Sequence, residues 1–197
     1  AQPFVAGEEL CLWTATHAGR VTAHALYRPA WRHGRSAAYA FEAVDWPPAI
    51  DMGRRIVAAT GATGHLSFDL IRTPDGAAVP IECNPRAVSG VHLFDGSALA
   101  RAILGESVPP PAPGTRRHLA PAMALLGVPS ALAARRWRSF RNQWRDGRDA
   151  ITRPGDRWPA AGALVDAARF AALGLSRHRS PTRQTTADIE WNGGPIA

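Results

Sequence analysis

Two short apolar runs, Gly64–Arg72 and Ala78–Cys83, flank the tight-turn sequence Pro74-Asp75-Gly76, and this pairing constrains the fold more than any other feature. Pro and Gly preset the backbone angles of such a turn, so the runs read as the two strands of an antiparallel hairpin. Side chains alternate along a strand. Glu82 and Asn84, in Ile81-Glu82-Cys83-Asn84-Pro85-Arg86, therefore share one face. Asp69, in Leu66-Ser67-Phe68-Asp69-Leu70, can lie opposite them on the neighbouring strand. Two carboxylates and an amide oxygen then converge. Such a hard, oxygen-only set suits Mg²⁺, which takes a few protein oxygens and completes its shell with phosphates. Arg86 lies two residues beyond Asn84 and would aim along the same face at a phosphate or carboxylate. Taken singly, these residues could be surface charges and an ordinary Asn-Pro turn. As a set they read differently. Asp69 and Glu82 interrupt apolar strands, which predicts burial, and a buried carboxylate needs a partner such as a metal.

The rest of the chain supports an α+β organisation. Leu10–Thr16 and Val21–Tyr27 read as an earlier hairpin around His17-Ala18-Gly19-Arg20. Pro47-Pro48 opens a helix whose apolar positions recur at helical spacing through Ile50, Ile56 and Val57, and Gly61 stops it. Asp95 is a candidate cap for a helix over Ser97–Leu104. Four prolines within 108–114 suggest a linker, so the chain divides into 1–107, a linker at 108–118, and a helical appendage over 119–197. In that appendage Pro129–Arg148 and Pro159–Leu173 read as helices, Asp156 and Pro159 as a helix start, Ser176–Thr186 as a loop and Asp188–Asn192 as a closing strand.

Composition limits the function classes. Apolar residues make up 46% of the 197, enough for a packed core. No stretch is apolar for the length a membrane span requires, and Ala1–Gly7 lacks the features of a signal peptide. The two cysteines, Cys11 and Cys83, read as buried free thiols of a cytoplasmic protein. All 23 basic residues are Arg. Residues 1–100 carry 8 Arg against 9 acids, whereas 101–197 carry 15 Arg against 7, so the net charge of +7 belongs to the second half.

The sequence Thr63-Gly64-His65-Leu66-Ser67-Phe68-Asp69, then Pro80-Ile81-Glu82-Cys83-Asn84-Pro85-Arg86, then Ser89-Gly90-Val91-His92, resembles the metal-binding core of ATP-grasp enzymes. Biotin carboxylase, carbamoyl phosphate synthetase and D-alanine–D-alanine ligase are members of that superfamily. The resemblance implies the C-terminal half of an ATP-grasp domain, an antiparallel sheet with helices on one side. It implies ATP and Mg²⁺, with Mn²⁺ as a substitute, held through Asp69, Glu82 and Asn84. Arg86 matches the Arg that contacts the transferred phosphate or acyl-phosphate. Gln2-Pro3-Phe4-Val5-Ala6-Gly7-Glu8-Glu9 resembles the adenine-receiving hinge. Backbone groups around Gln2, Phe4 and Val5 would face the adenine, and Glu9, rather than Glu8, the ribose hydroxyls. Arg28 matches a substrate-facing basic residue only weakly and reads better as an exposed strand-end Arg. The implied activity is ATP-dependent ligation of a small-molecule carboxylate to an amine through an acyl-phosphate. The family grips phosphates with two Lys and a Gly-rich loop upstream of the hinge. This chain has no Lys and begins at the hinge, so the upstream half of the same protein is an expected partner.

Two alternatives stand beside the ligase. One is a non-catalytic binding or regulatory subunit on the same scaffold. The other starts from Arg135, Arg136, Arg138, Arg141, Arg145 and Arg148, interleaved with Trp137, Phe140 and Trp144. On a helix Trp137, Phe140, Arg141 and Trp144 share a face. Such a helix can bind nucleic acid or an anionic membrane surface. It can equally pack its aromatics on the domain with the Arg solvated, and nucleic acid is not the expected partner. A third reading is recognition of an acidic acceptor or subunit.

Overall fold

The structure, a computed structural model, describes residues 3–32, 38–153 and 155–178. By internal contacts the chain forms two units, Ala1–Ala150 and Ile151–Ala197. In the first, β1 (Glu8–His17), β2 (Arg20–Arg32), β3 (Ala38–Ala43), β4 (Gly64–Arg72), β5 (Ala78–Asn84), β6 (Arg116–His118) and β7 (Arg148–Asp149) form one sheet in the order β5-β4-β1-β2-β3-β6-β7. All neighbours pair antiparallel except β6 and β7, which are parallel. The fold is therefore α+β around a largely antiparallel sheet.

The two faces of this sheet carry separate cores. Leu10, Leu12, Leu26, Phe68 and Leu70 pack under α1 (Pro47–Thr60), which contributes Ala49 and Met52. The helix begins with Pro near N1 and ends at Gly61, whose left-handed φ of 64° lets its N–H reach the Val57 carbonyl. Gly53 permits the close approach: a Cβ there would come within 2.5 Å of Leu12 Cδ2. The residues between those positions, Cys11, Trp13 and Ala15, point to the opposite face with Ala25, Tyr27 and Phe41. A short 3₁₀ turn, Ser89–Leu93, and α2, Gly96–Ile103, cover them. A Cβ at Gly90 would lie 2.6 Å from Trp13 Cβ, so only glycine lets this turn sit on the sheet.

Several boundaries differ from the expectation. β3 is Ala-rich and β6 opens with two Arg, so neither carries a strand pattern. Their pairing instead rests on partners distant in sequence, such as Arg116 Nε donating to Glu42 Oε2 at 2.9 Å. β6 also falls inside 108–118, the span expected to be a linker. The single basic helix expected over Pro129–Arg148 is broken. Helical turns α3 (Ala120–Ala122), a π-helical turn Met123–Gly127 and α4 (Val128–Ala133) precede α5 (Trp137–Asp146). The break is at Arg135, which takes a φ of 53°, a left-handed value no helix continues through.

In the second unit α6 runs Trp158–Ser176 with Pro at its start, and Asp156 Oδ1 accepts the Trp158 N–H at 3.3 Å. The expected strand at 188–192 lies outside the described residues. No helix among those described is long and apolar enough to cross a membrane.

Candidate functional site

The register of β4 and β5 places Asp69 directly opposite Glu82, and Ser67 opposite Asn84. The same row continues across the sheet: Asp69 faces Cys11 on β1, and Cys11 faces Tyr27 on β2. Glu82, Asp69, Cys11 and Tyr27 thus form one cross-strand line on the face that carries the 3₁₀ turn. Asn84 and Glu9 lie two residues from Glu82 and Cys11 and share this face. Glu8 points the other way, pairing with Arg28 at 3.4 Å and Arg72 at 3.7 Å, which leaves Arg28 an exposed strand Arg on the opposite side.

Exposure falls along the line. Glu82 and Asp69 are exposed, Cys11 is half-buried and Tyr27 is buried. The expected burial of the two carboxylates is therefore corrected. The apolar neighbours of Asp69, Phe68 and Leu70, belong to the other face, under α1, whereas those of Glu82, Ile81 and Cys83, are themselves exposed. On Asp69's own face Ser67 and Ile71 are buried, so the opening is local to Asp69 on β4 and to the edge strand β5, which is exposed on both faces around Glu82.

Asp69 is nonetheless not isolated. Cys11 is its direct cross-strand neighbour on β1, and Tyr27 is the neighbour of Cys11 on β2. Burial, then the Asp69 charge, push the Cys11 thiol far above its ordinary range, so it is a protonated donor rather than a nucleophile. Burial likewise raises the Tyr27 phenol, with Cys11 and Asp69 adding to the effect. Both cysteines are free, but Cys83 is exposed, contrary to its expected burial. It pairs with Phe68 and so lies on the opposite face from Cys11.

Buried Ser67 donates its hydroxyl to the Arg86 carbonyl at 2.8 Å, tying down the strand end that carries Asn84 and Arg86. The Arg86 side chain is exposed, and among the described residues its hydrogen bond is a 3.4 Å contact to the Ala87 carbonyl. Arg32, at the end of β2 beyond register irregularities at Pro29–Trp31 and Trp31–Arg32, forms an ion pair with Glu9. Of the expected adenine-facing residues, Phe4 is 92% exposed. Val5 is half-buried, both precede β1 in irregular backbone, and Gln2 lies outside the described residues.

Glu9, Asp69, Glu82 and Asn84 are thus brought to one face. No group of three or more His, Cys, Asp or Glu side chains among the described residues is arranged to hold a metal by itself. Two facing carboxylates plus an amide instead form the sparse oxygen set to which Mg²⁺ adds phosphates and water. The donor chemistry fits that ion. Cys11, Arg32 and Ser67 were not identified from the sequence as site neighbours. Cys11 read as a core thiol, and its place beside Asp69 depends on strand register, which a single sequence does not reveal.

No protein-family model and no curated protein matches the sequence. Solved structures with a similar arrangement are ATP-grasp superfamily proteins. The phosphoribosylaminoimidazole carboxylase ATPase subunit from Aquifex aeolicus is 15% identical, with a TM-score of 0.44 over 55% of this chain and 38% of that one. N5-carboxyaminoimidazole synthetase from Staphylococcus aureus, solved with ADP, is 13% identical, with a TM-score of 0.42 over 61% and 37%. The biotin carboxylase domain of a single-chain bacterial carboxylase is 19% identical, with a TM-score of 0.40 over 55% and 31%. The chain spans well under half the length of each.

Proposed function

We propose that the open β4–β5 face binds a Mg²⁺–adenine nucleotide and that the chain contributes this site to an ATP-dependent ligation. One observation carries the reading: the register that sets Asp69 against Glu82, with Asn84 and Glu9 on the same solvent-facing surface. Asp69, Glu82 and Asn84 would hold the metal. When bound, Mg²⁺ neutralises charge on the phosphate oxygens during phosphoryl transfer. Arg86, exposed beside Asn84, would steady the transferred phosphoryl group, with its backbone fixed by Ser67. Glu9, oriented by Arg32, would accept the ribose hydroxyls. A substrate carboxylate would attack the γ-phosphorus, releasing ADP, and an amine would then displace phosphate from the acyl-phosphate. The phosphate-gripping half would be supplied from outside these residues.

The test is titration of a fluorescent ADP analogue, with and without Mg²⁺, into the chain and into an Asp69→Asn/Glu82→Gln variant. A Mg²⁺-dependent signal that the variant loses supports the site. An equal signal in both, or none that depends on Mg²⁺, overturns it.

A further inference from the structure

A cluster of partly exposed aromatics lies at the other end of the sheet, on α5. A groove there, of about 550 Å³, is lined by Val128, Trp137, Phe140, Arg141, Trp144 and Arg145. That volume lies within the range of ordinary ligand pockets. Trp137 and Trp144 are each 43% exposed, a large apolar area left to solvent. The helix is anchored rather than loose. Phe140 is buried against Trp31, and Gln143 donates to the Arg117 carbonyl at 3.2 Å.

We propose that this groove binds an acidic peptide segment carrying an apolar side chain. Charge complementarity points to that occupant. Between Arg135 and Arg148 there are six Arg and one acid, Asp146. Asp146 is already engaged by Arg145 at 2.7 Å and Arg116 at 3.3 Å. Of the two Arg that line the groove, Arg141 forms no ion pair with any described residue, so its guanidinium fork remains for a carboxylate. Exposed Trp beside Arg is also the composition that dominates peptide-binding energy.

The ring geometry disfavours single-stranded nucleic acid. Trp137–Phe140, Phe140–Trp144 and Trp144–His118 stack at centroid separations of 5.1, 5.9 and 5.2 Å. Their faces are turned to one another, whereas base binding uses free faces along a charged track. A membrane surface favours a convex amphipathic face rather than a groove.

The test is fluorescence anisotropy on the full chain with a labelled Glu-Asp-Leu-Phe-Glu-Asp peptide. The comparison ligands are its Lys-Lys-Leu-Phe-Lys-Lys counterpart, an oligouridylate and phosphatidylglycerol vesicles. The acidic peptide should bind more tightly than all three. Arg141→Glu changes an exposed side chain and should leave thermal unfolding unchanged while weakening that binding about tenfold or more. Trp144→Ala should weaken it as well; if it unfolds the chain, Arg141→Glu decides alone. The proposal is overturned by no saturable binding at millimolar peptide, by equal binding of the Lys peptide, by tighter binding of oligouridylate or vesicles, or by an unaffected Arg141→Glu variant.

Discussion

Asp69 and Leu70 are neighbours on β4, yet they belong to the two most different surfaces of the sheet. Leu70 is 1% exposed and packs with Leu10, Leu12 and Phe68 under α1. Asp69 is exposed, opposite Glu82 and beside Cys11. One face is closed along β4, β1 and β2 and supplies cohesion. On the other, the 3₁₀ turn and α2 close over Trp13 and Tyr27 but leave the β4–β5 end to solvent. An apolar stretch therefore need not be a buried one. On β4 the opening is local: Asp69 is exposed while Ser67 and Ile71, two residues either side on the same face, are buried.

The sharpest way to break this contrast is to exchange the roles of the two positions. Leu70→Ala should cost about 2–5 kcal/mol in chemical denaturation, as expected for truncation in a closed core. Asp69→Leu should change stability by less than about 0.5 kcal/mol, the usual range for surface sites, while abolishing Mg²⁺–nucleotide binding. Comparable losses for both would mean that the faces are not distinct. Ser67→Ala comes next. Removing its hydroxyl from the Arg86 carbonyl should cost about 1 kcal/mol and weaken nucleotide binding through the displaced Asn84–Arg86 segment.

The two cysteines differ in the same way, Cys11 lying half-buried on one face and Cys83 exposed on the other. Mass spectrometry after iodoacetamide at pH 8 should find exposed Cys83 modified first and Cys11 protected. Burial is the larger cause of the high Cys11 pKa and the Asp69 charge the second, so Asp69→Asn should speed Cys11 alkylation only in part.

The smallest effect concerns histidine. Burial lowers the pKa of His24, His92 and His118 below the ordinary 6.5. Below that value the unfolded chain takes up more protons than the folded one, so the stabilisation present at neutral pH is lost as pH falls from about 6.5. The urea midpoint should decline between pH 7 and 5. His118→Phe should reduce that dependence, because buried His118 Nδ1 has no hydrogen-bond partner among the described residues.

The sequence made β4, β5 and α1 readable because each is marked by local chemistry: Pro-Asp-Gly between the strands, and Pro-Pro and Gly61 at the helix ends. It also made readable which residues share a face, because alternation depends on spacing alone. It did not reveal which face would be covered. That depends on where α1 and the 3₁₀ turn land, and the predicted burial of Asp69 failed for this reason. β3 and β6 were silent because Ala and Arg become strand residues here only through partners such as Glu42–Arg116. The break at Arg135 interrupts a segment whose composition is otherwise helical, and no proline or glycine at that position marks it in the sequence.

The most direct test of the central claim is to map Mn²⁺ on the ADP-bound chain by paramagnetic broadening of backbone amide resonances. Broadening should be confined to residues around Asp69, Glu82 and Asn84 and absent in Asp69→Asn/Glu82→Gln. Broadening centred elsewhere, or unchanged in that variant, would contradict it.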